Sequence, residues 1–184
     1  MSNENAQTDR TDTQPASEPA PTPLISAAEI PAAKMPCQPI KESRFDALSE
    51  VARRIAETTK GTADNHVTGK LGELGFDDYL GLGGRLNTEV RPDGGDGGSD
   101  LTYRGATIDV KTVGRHRSDP ALTIDAYEPL RADYYVLTSR IGQTDCRLIG
   151  YAPRHFVANA PIRYHNGEPY HFVDQHYLFP FPRF

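Results

Sequence analysis

Residues 99–112, "SDLTYRGATIDVKT", read as two short strands around a tight turn at Arg104-Gly105, where glycine supplies the positive φ that such a turn requires. A two-residue closure sets the register. It pairs Tyr103 with Ala106, Thr102 with Thr107, Leu101 with Ile108 and Asp100 with Asp109. Because side chains alternate between faces, Leu101, Tyr103, Ala106, Ile108 and Val110 fall on an apolar face, and Asp100, Asp109 and Lys111 on the other.

Two carboxylates opposite one another repel, so an Asp100/Asp109 pair calls for a cation, a proton or strong hydrogen bonds. Mg²⁺ meets that need most directly. It takes hard oxygen ligands, often only one or two of them carboxylates, and keeps positions for water and a substrate phosphate. Asp109 and Lys111 on one strand then hold the metal and, beside it, a group that orients or deprotonates an attacking water. The Val110 carbonyl between them is available as a further ligand.

Upstream, "ESRFDALSEVARRIAETTKG" from Glu42 places Phe45, Leu48, Val51, Ala52, Ile55 and Ala56 at helical spacing and stops at Gly61. A second helical stretch runs from His66 to Gly84. It carries Gly69, Gly72 and Gly75, although each interior glycine costs about 1 kcal/mol relative to alanine. On a helical wheel Gly69, Glu73, Phe76 and Leu80 share one face with Gly72 beside them, so the glycines predict close approach of a sheet, with Glu73 pointing at it.

With these residues in order, the chain resembles the PD-(D/E)xK phosphodiesterase superfamily, which includes restriction endonucleases, Holliday-junction resolvases and repair nucleases. "KLGELGF" matches its helical acidic residue with Glu73, "GSDL" its Asp with Asp100, and "IDVKT" its acidic-x-Lys with Asp109 and Lys111. Ser99 replaces the nominal proline. The likeness covers about residues 66–113. It implies an α/β (α+β) fold with a central mixed sheet flanked by helices. It also implies that Asp100 and Asp109 bind Mg²⁺ (Mn²⁺ substituting), that Lys111 assists the water, and that Glu73 is an extra metal ligand or positions the water. The expected activity is Mg²⁺-dependent hydrolysis of DNA phosphodiesters, as an endonuclease rather than an exonuclease. The partners expected are DNA and either a second copy or another protein.

The approach loop "RPDGGDGGSD" fails the spacing of an EF-hand and of a calcium-binding β-roll. It reads as a flexible connection near substrate, Asp93 and Asp96 lying within it and Asp96 being an accessory metal ligand candidate. After the hairpin, "GRHRSDP" offers Arg115, His116 and Arg117 to a phosphate backbone, and Lys70 and Arg91 are further contact candidates. His165, His171 and His176 flank an Asn166-Gly167 turn without metal-ligand spacing, so aromatic packing explains them better. Of Tyr134 and Tyr135, alternation puts at least one in the core.

Further strands are predicted in "PALTIDAYEPL", "ADYYVLTSR" and "CRLIGYA", and a short helix in "PRHFVANA". Residues 1–40, rich in Pro, Ala, Ser and Thr and free of aromatics, read as a disordered tail, and residues 41–184 as the nuclease-like domain. There is no signal-peptide or membrane-spanning stretch and only two cysteines, Cys37 and Cys146, so a soluble cytoplasmic protein without membrane partners is expected. Of the net charge of −5, the tail carries the larger part through Glu4, Asp9, Asp12, Glu18 and Glu29 against Arg10 and Lys34. The body is near neutral, which keeps two alternatives in view: a non-catalytic nucleic-acid-binding or assembly module of the same fold, and a calcium-stabilised interaction protein.

Overall fold

The computed structural model describes residues 35–59, 61–83, 99–114 and 119–181. The chain is a mixed α+β protein. Its elements are β1 (Cys37–Pro39), α1 (Glu42–Ala56), α2 (Ala63–Leu80), β2 (Leu101–Tyr103), β3 (Ala106–Val113), β4 (Ala121–Asp125), β5 (Tyr134–Ile141), β6 (Asp145–Pro153), α3 (Arg154–Ala158), β7 (Ile162–His165) and β8 (Glu168–Asp174), with a 3₁₀ turn at Gln175–Tyr177.

Five strands form one sheet in the order β1-β6-β5-β3-β2, and three form a second in the order β4-β8-β7. Among the described residues only β3 and β5 run parallel, in the register Ile108 to Tyr134 through Val113 to Ser139. A parallel pair cannot be closed by a hairpin, so the connection leaves the sheet. Here that connection contains β4, which joins β8 in the second sheet.

Alternation along the central strands sorts two cores. Ile108, Val110, Val136 and Leu148 meet Leu48, Val67, Leu71 and Leu74 of α1 and α2. On the other side Tyr135, Leu137 and Ile149 meet Leu122 and Ile124 of β4, Val173 of β8 and Val157 of α3. Leu48, Leu71, Leu122 and Leu148 have no solvent exposure. Each contributes about 1.5–3 kcal/mol relative to an exposed side chain. Tyr135 is core at 2% exposure and Tyr134 is 39% exposed, as alternation predicts.

The second helix begins earlier than expected, at Ala63, because Thr62 caps it: the Thr62 hydroxyl accepts the Asn65 N–H at 3.2 Å. Its close approach to the sheet is made through two glycines only. A Cβ on Gly72 would overlap the Thr112 hydroxyl and come within 2.5 Å of the Thr138 hydroxyl, and one on Gly75 would lie 2.6 Å from the Cys146 Cβ. Gly69 meets nothing within 4 Å, so the close approach expected along its face is not made there.

Folded structure also starts before the expected boundary at residue 40. Cys37–Pro39 pair with β6, and Met35 and Ile40 are buried, one in each core. Residues 1–34 lie outside the described residues. Among the described residues no helix is long and apolar enough to cross a membrane.

Candidate functional site

The turn at Arg104-Gly105 has positive φ at both residues, 50° and 85°, as a two-residue hairpin of this kind demands. Three rungs of the ladder follow the expected register: Tyr103 with Ala106, Thr102 with Thr107, and Leu101 with Ile108. The fourth departs. Asp100 donates its N–H to the carbonyl of Ile108 at 2.8 Å, so Asp100 and Leu101 both face Ile108, the arrangement of a β-bulge. Asp100 therefore does not sit directly across from Asp109. Its Oδ2 instead accepts the Val110 N–H at 2.7 Å.

That bond has a geometric consequence. A strand residue's N–H and C=O point to the same edge, so the Val110 carbonyl is presented on the side where Asp100 sits. Asp109 and Lys111 are one residue to either side of Val110. Lys111 Nζ lies 2.8 Å from Asp109 Oδ1, with the Asp109 side chain 15% exposed and that of Lys111 43%. Their neighbours across the parallel pair are Tyr135 and Leu137. Burial raises the pKa of the Tyr135 phenol, and the Asp109 carboxylate raises it further, so a neutral hydroxyl stands near that carboxylate.

Glu73 comes from α2, which packs on the Ile108 and Val110 face, whereas alternation puts Asp109 and Lys111 on the opposite one. Glu73 is ion-paired with Lys70 at 2.7 Å, and both side chains are largely covered, at 16% and 14% exposure. The Lys70 charge is thus offset within its own helix. Among the described residues, Glu73, Asp100 and Asp109 do not bring their oxygens within 4.8 Å of one another. Arg91, Asp93, Asp96, Arg115, His116 and Arg117 lie outside the described residues.

Two groupings were not read from the sequence. Asp119, Asp174 and His176 place one ligand atom each within 4.8 Å of the others. Here the Asp174 carboxylate caps the 3₁₀ turn by accepting the His176 N–H at 2.9 Å. The only sequence signal is the Asp174-x-His176 spacing, because Asp119 arrives through the pairing of Ala121 with Asp174. The second grouping is centred on Asp133, just before β5. Its Oδ2 accepts both the N–H and the hydroxyl of Thr107 at 2.9 Å, and its Oδ1 accepts Arg154 at 3.1 Å. The Thr107 N–H, then its hydroxyl, then the Arg154 charge hold the Asp133 carboxyl below the usual carboxylate range.

The carboxylates of Asp100 and Asp109 and the carbonyl of Val110 are hard oxygen donors, the ligand type that Mg²⁺ takes. Lys111 adds a cation next to it that can contact a phosphate oxygen or a water. No family model matches the chain, and no curated protein or solved structure matches it either.

Proposed function

We propose that this chain is a Mg²⁺-dependent nuclease of the restriction-endonuclease-like type that hydrolyses DNA phosphodiesters, acting as an endonuclease. The observation that carries the reading is the adjacency of Asp109 and Lys111, 2.8 Å apart on one face of β3, beside an Asp100 anchored to the intervening residue. Asp100, Asp109 and the Val110 carbonyl would hold the ion, whose chemistry is charge neutralisation at the phosphate and acidification of bound water. Lys111 orients the nucleophilic water or stabilises the charge that develops on the phosphate oxygens. Asp100 keeps one oxygen on the Val110 N–H, which fixes the other against the strand.

One observation favours the second reading, a non-catalytic nucleic-acid-binding module. Glu73 is engaged with Lys70 and does not converge with Asp100 and Asp109 among the described residues. The deciding experiment incubates the full chain with supercoiled plasmid, single-stranded DNA and a branched DNA in Mg²⁺, Mn²⁺ or EDTA, beside Lys111→Ala and Asp109→Asn. Metal-dependent cutting that folded variants lack supports the nuclease. An inactive wild type that also shows no calorimetric Mg²⁺ or Mn²⁺ binding dependent on Asp100 and Asp109 removes it in favour of the binding module.

A further inference from the structure

A cavity of about 540 Å³ opens at the start of β3 and β5, lined by Arg104, Ala106, Asp133, Tyr134, Arg154 and His155. Two guanidinium groups and an imidazole share this space with one carboxylate. That carboxylate, Asp133, is occupied: it accepts two bonds from Thr107 and one from Arg154. Arg154 spends one N–H on it, and a guanidinium has five to give. Asp133 therefore serves as a bracket that orients Arg154, whose side chain remains 49% exposed.

Arg104 is placed at a backbone cost. It occupies the first position of its turn at φ 50°, a region that disfavours side chains other than those of Asn and Asp. The same chain solves the same problem at its second hairpin with Asn166, at φ 52°. Arg104 is exposed, so burial does not explain its choice. Its guanidinium rests 5.2 Å from the Tyr103 ring centroid, which fixes the head group without using its N–H donors. No side chain among the described residues accepts a hydrogen bond from it in the structure.

The cavity lies at the end of the sheet, with Ala106 and Tyr134 on the Ile108 face and the bracket that holds Arg154 on the face of Asp109 and Lys111. Thr107, Asp109 and Lys111 alternate onto one face of β3, and Thr107 is the residue that holds Asp133 and, through it, Arg154. At about 3.3 Å per residue, Thr107 is roughly 7 Å from Asp109 and roughly 13 Å from Lys111 along the strand. Successive phosphates of one duplex strand advance by about 3.4 Å along the axis, so this separation spans about two to four nucleotides. Tyr134, 39% exposed, supplies an aromatic wall for the sugar or base beside that phosphate.

We propose that Arg104 and Arg154 form a binding site for a DNA backbone phosphate, a few nucleotides from the one at Asp109 and Lys111. The site deepens the nuclease reading and rests on it for the position of the scissile phosphate. Such a contact positions the strand without reading its sequence.

The test uses Arg104→Asn, which restores the residue type of the other hairpin, and Arg154→Gln, which can still donate to Asp133. Binding of a fluorescein-labelled DNA duplex is followed by anisotropy in EDTA over a salt series, with cleavage in Mg²⁺ measured in parallel and inorganic phosphate titrated separately. The site predicts that each variant binds DNA about 3–10-fold more weakly and lowers the slope of log K against log salt by about 1, while the Tm of Arg104→Asn does not fall. Wild-type affinity and slope in both variants overturn the site, even if the protein cleaves DNA and the nuclease reading stands. Loss of affinity in the variants of a protein that never cleaves keeps the site and removes the nuclease. Binding of inorganic phosphate without any DNA binding assigns the cavity to a small anion and overturns the proposal.

Discussion

The Asp100 carboxylate accepts the Val110 N–H at 2.7 Å while the Asp100 N–H donates to Ile108, so one residue closes two bonds of the β3 edge. Asp100 thus has a structural duty beside the chemical one proposed for it, and substitution separates them. Asp100→Ala leaves the Val110 N–H without its acceptor and is expected to cost about 1–3 kcal/mol in urea denaturation. Asp100→Asn keeps an acceptor oxygen and should lose less than half of that, yet bind Mg²⁺ far more weakly because the charge is gone. Equal stability loss in the two variants would contradict the hydrogen-bond assignment.

The three glycines of α2 should respond in opposite directions. Gly72→Ala drives a methyl group into the Thr112 and Thr138 hydroxyls, and Gly75→Ala drives one against Cys146. These contacts are with the sheet, which cannot give way cheaply, so each is expected to destabilise by about 1–3 kcal/mol. Gly69→Ala meets open space and gains helix propensity, so it should stabilise by roughly 0.5–1 kcal/mol. Chemical denaturation of the three variants checks the set, and a destabilised Gly69→Ala would refute the packing described for α2.

Those glycines also mark how far the sequence could be read. That some glycine allows close approach follows from the cost of three in one helix. Which ones do so depends on where the sheet lies, and at Gly69 the expected close approach is not made. The hairpin was legible because Arg104-Gly105 and strict alternation leave one register for three rungs. Pattern could not reveal that Asp100 slips by one and turns its carboxylate onto the backbone, since a bulge leaves no periodic trace. The first strand, three residues long and set among prolines, gains its order from pairing with β6 rather than from its own composition. Likewise Thr107, Asp133 and Arg154 are distant in sequence: the parallel pairing of β3 with β5 brings Thr107 to Asp133, and the antiparallel pairing of β5 with β6 brings Arg154 there.

The cysteines should differ sharply in reactivity. Cys146 is fully buried, and its thiol is pushed up to about 12 by burial, whereas Cys37 is exposed on β1. Since the thiolate is the nucleophile, the native protein should react with a thiol reagent at Cys37 and release Cys146 only on unfolding. The raised folded value means that the native state holds this proton more tightly than the unfolded chain. Its stabilisation is complete below about pH 9 and declines above it, by up to about 1.4 kcal/mol per pH unit until pH approaches the folded value. Cys146→Ala should show a shallower alkaline decline than wild type. Two thiols titrating at equal rates under native conditions would overturn this.

Asp133 sets the opposite, acidic limit. Its folded value is lowered by the Thr107 N–H first, then by the Thr107 hydroxyl and Arg154, all of which favour the ionised carboxylate. A group depressed on folding contributes stability that is present above its unfolded value, near 4, and is lost as pH falls through the folded one. Asp133→Asn cannot ionise but offers an acceptor to Thr107, so the variant should be less stable than wild type at neutral pH. The gap should narrow steadily as pH falls below about 4. Urea midpoints of the two proteins from pH 2 to pH 7 test this, and parallel curves over that range would show that the Asp133 charge takes no part in holding Thr107 and Arg154 together. Because Arg154 is the far end of the same bracket, DNA affinity in EDTA should drop in Asp133→Asn through a misplaced Arg154. That loss should be smaller than in Arg154→Gln, since the variant keeps its cation.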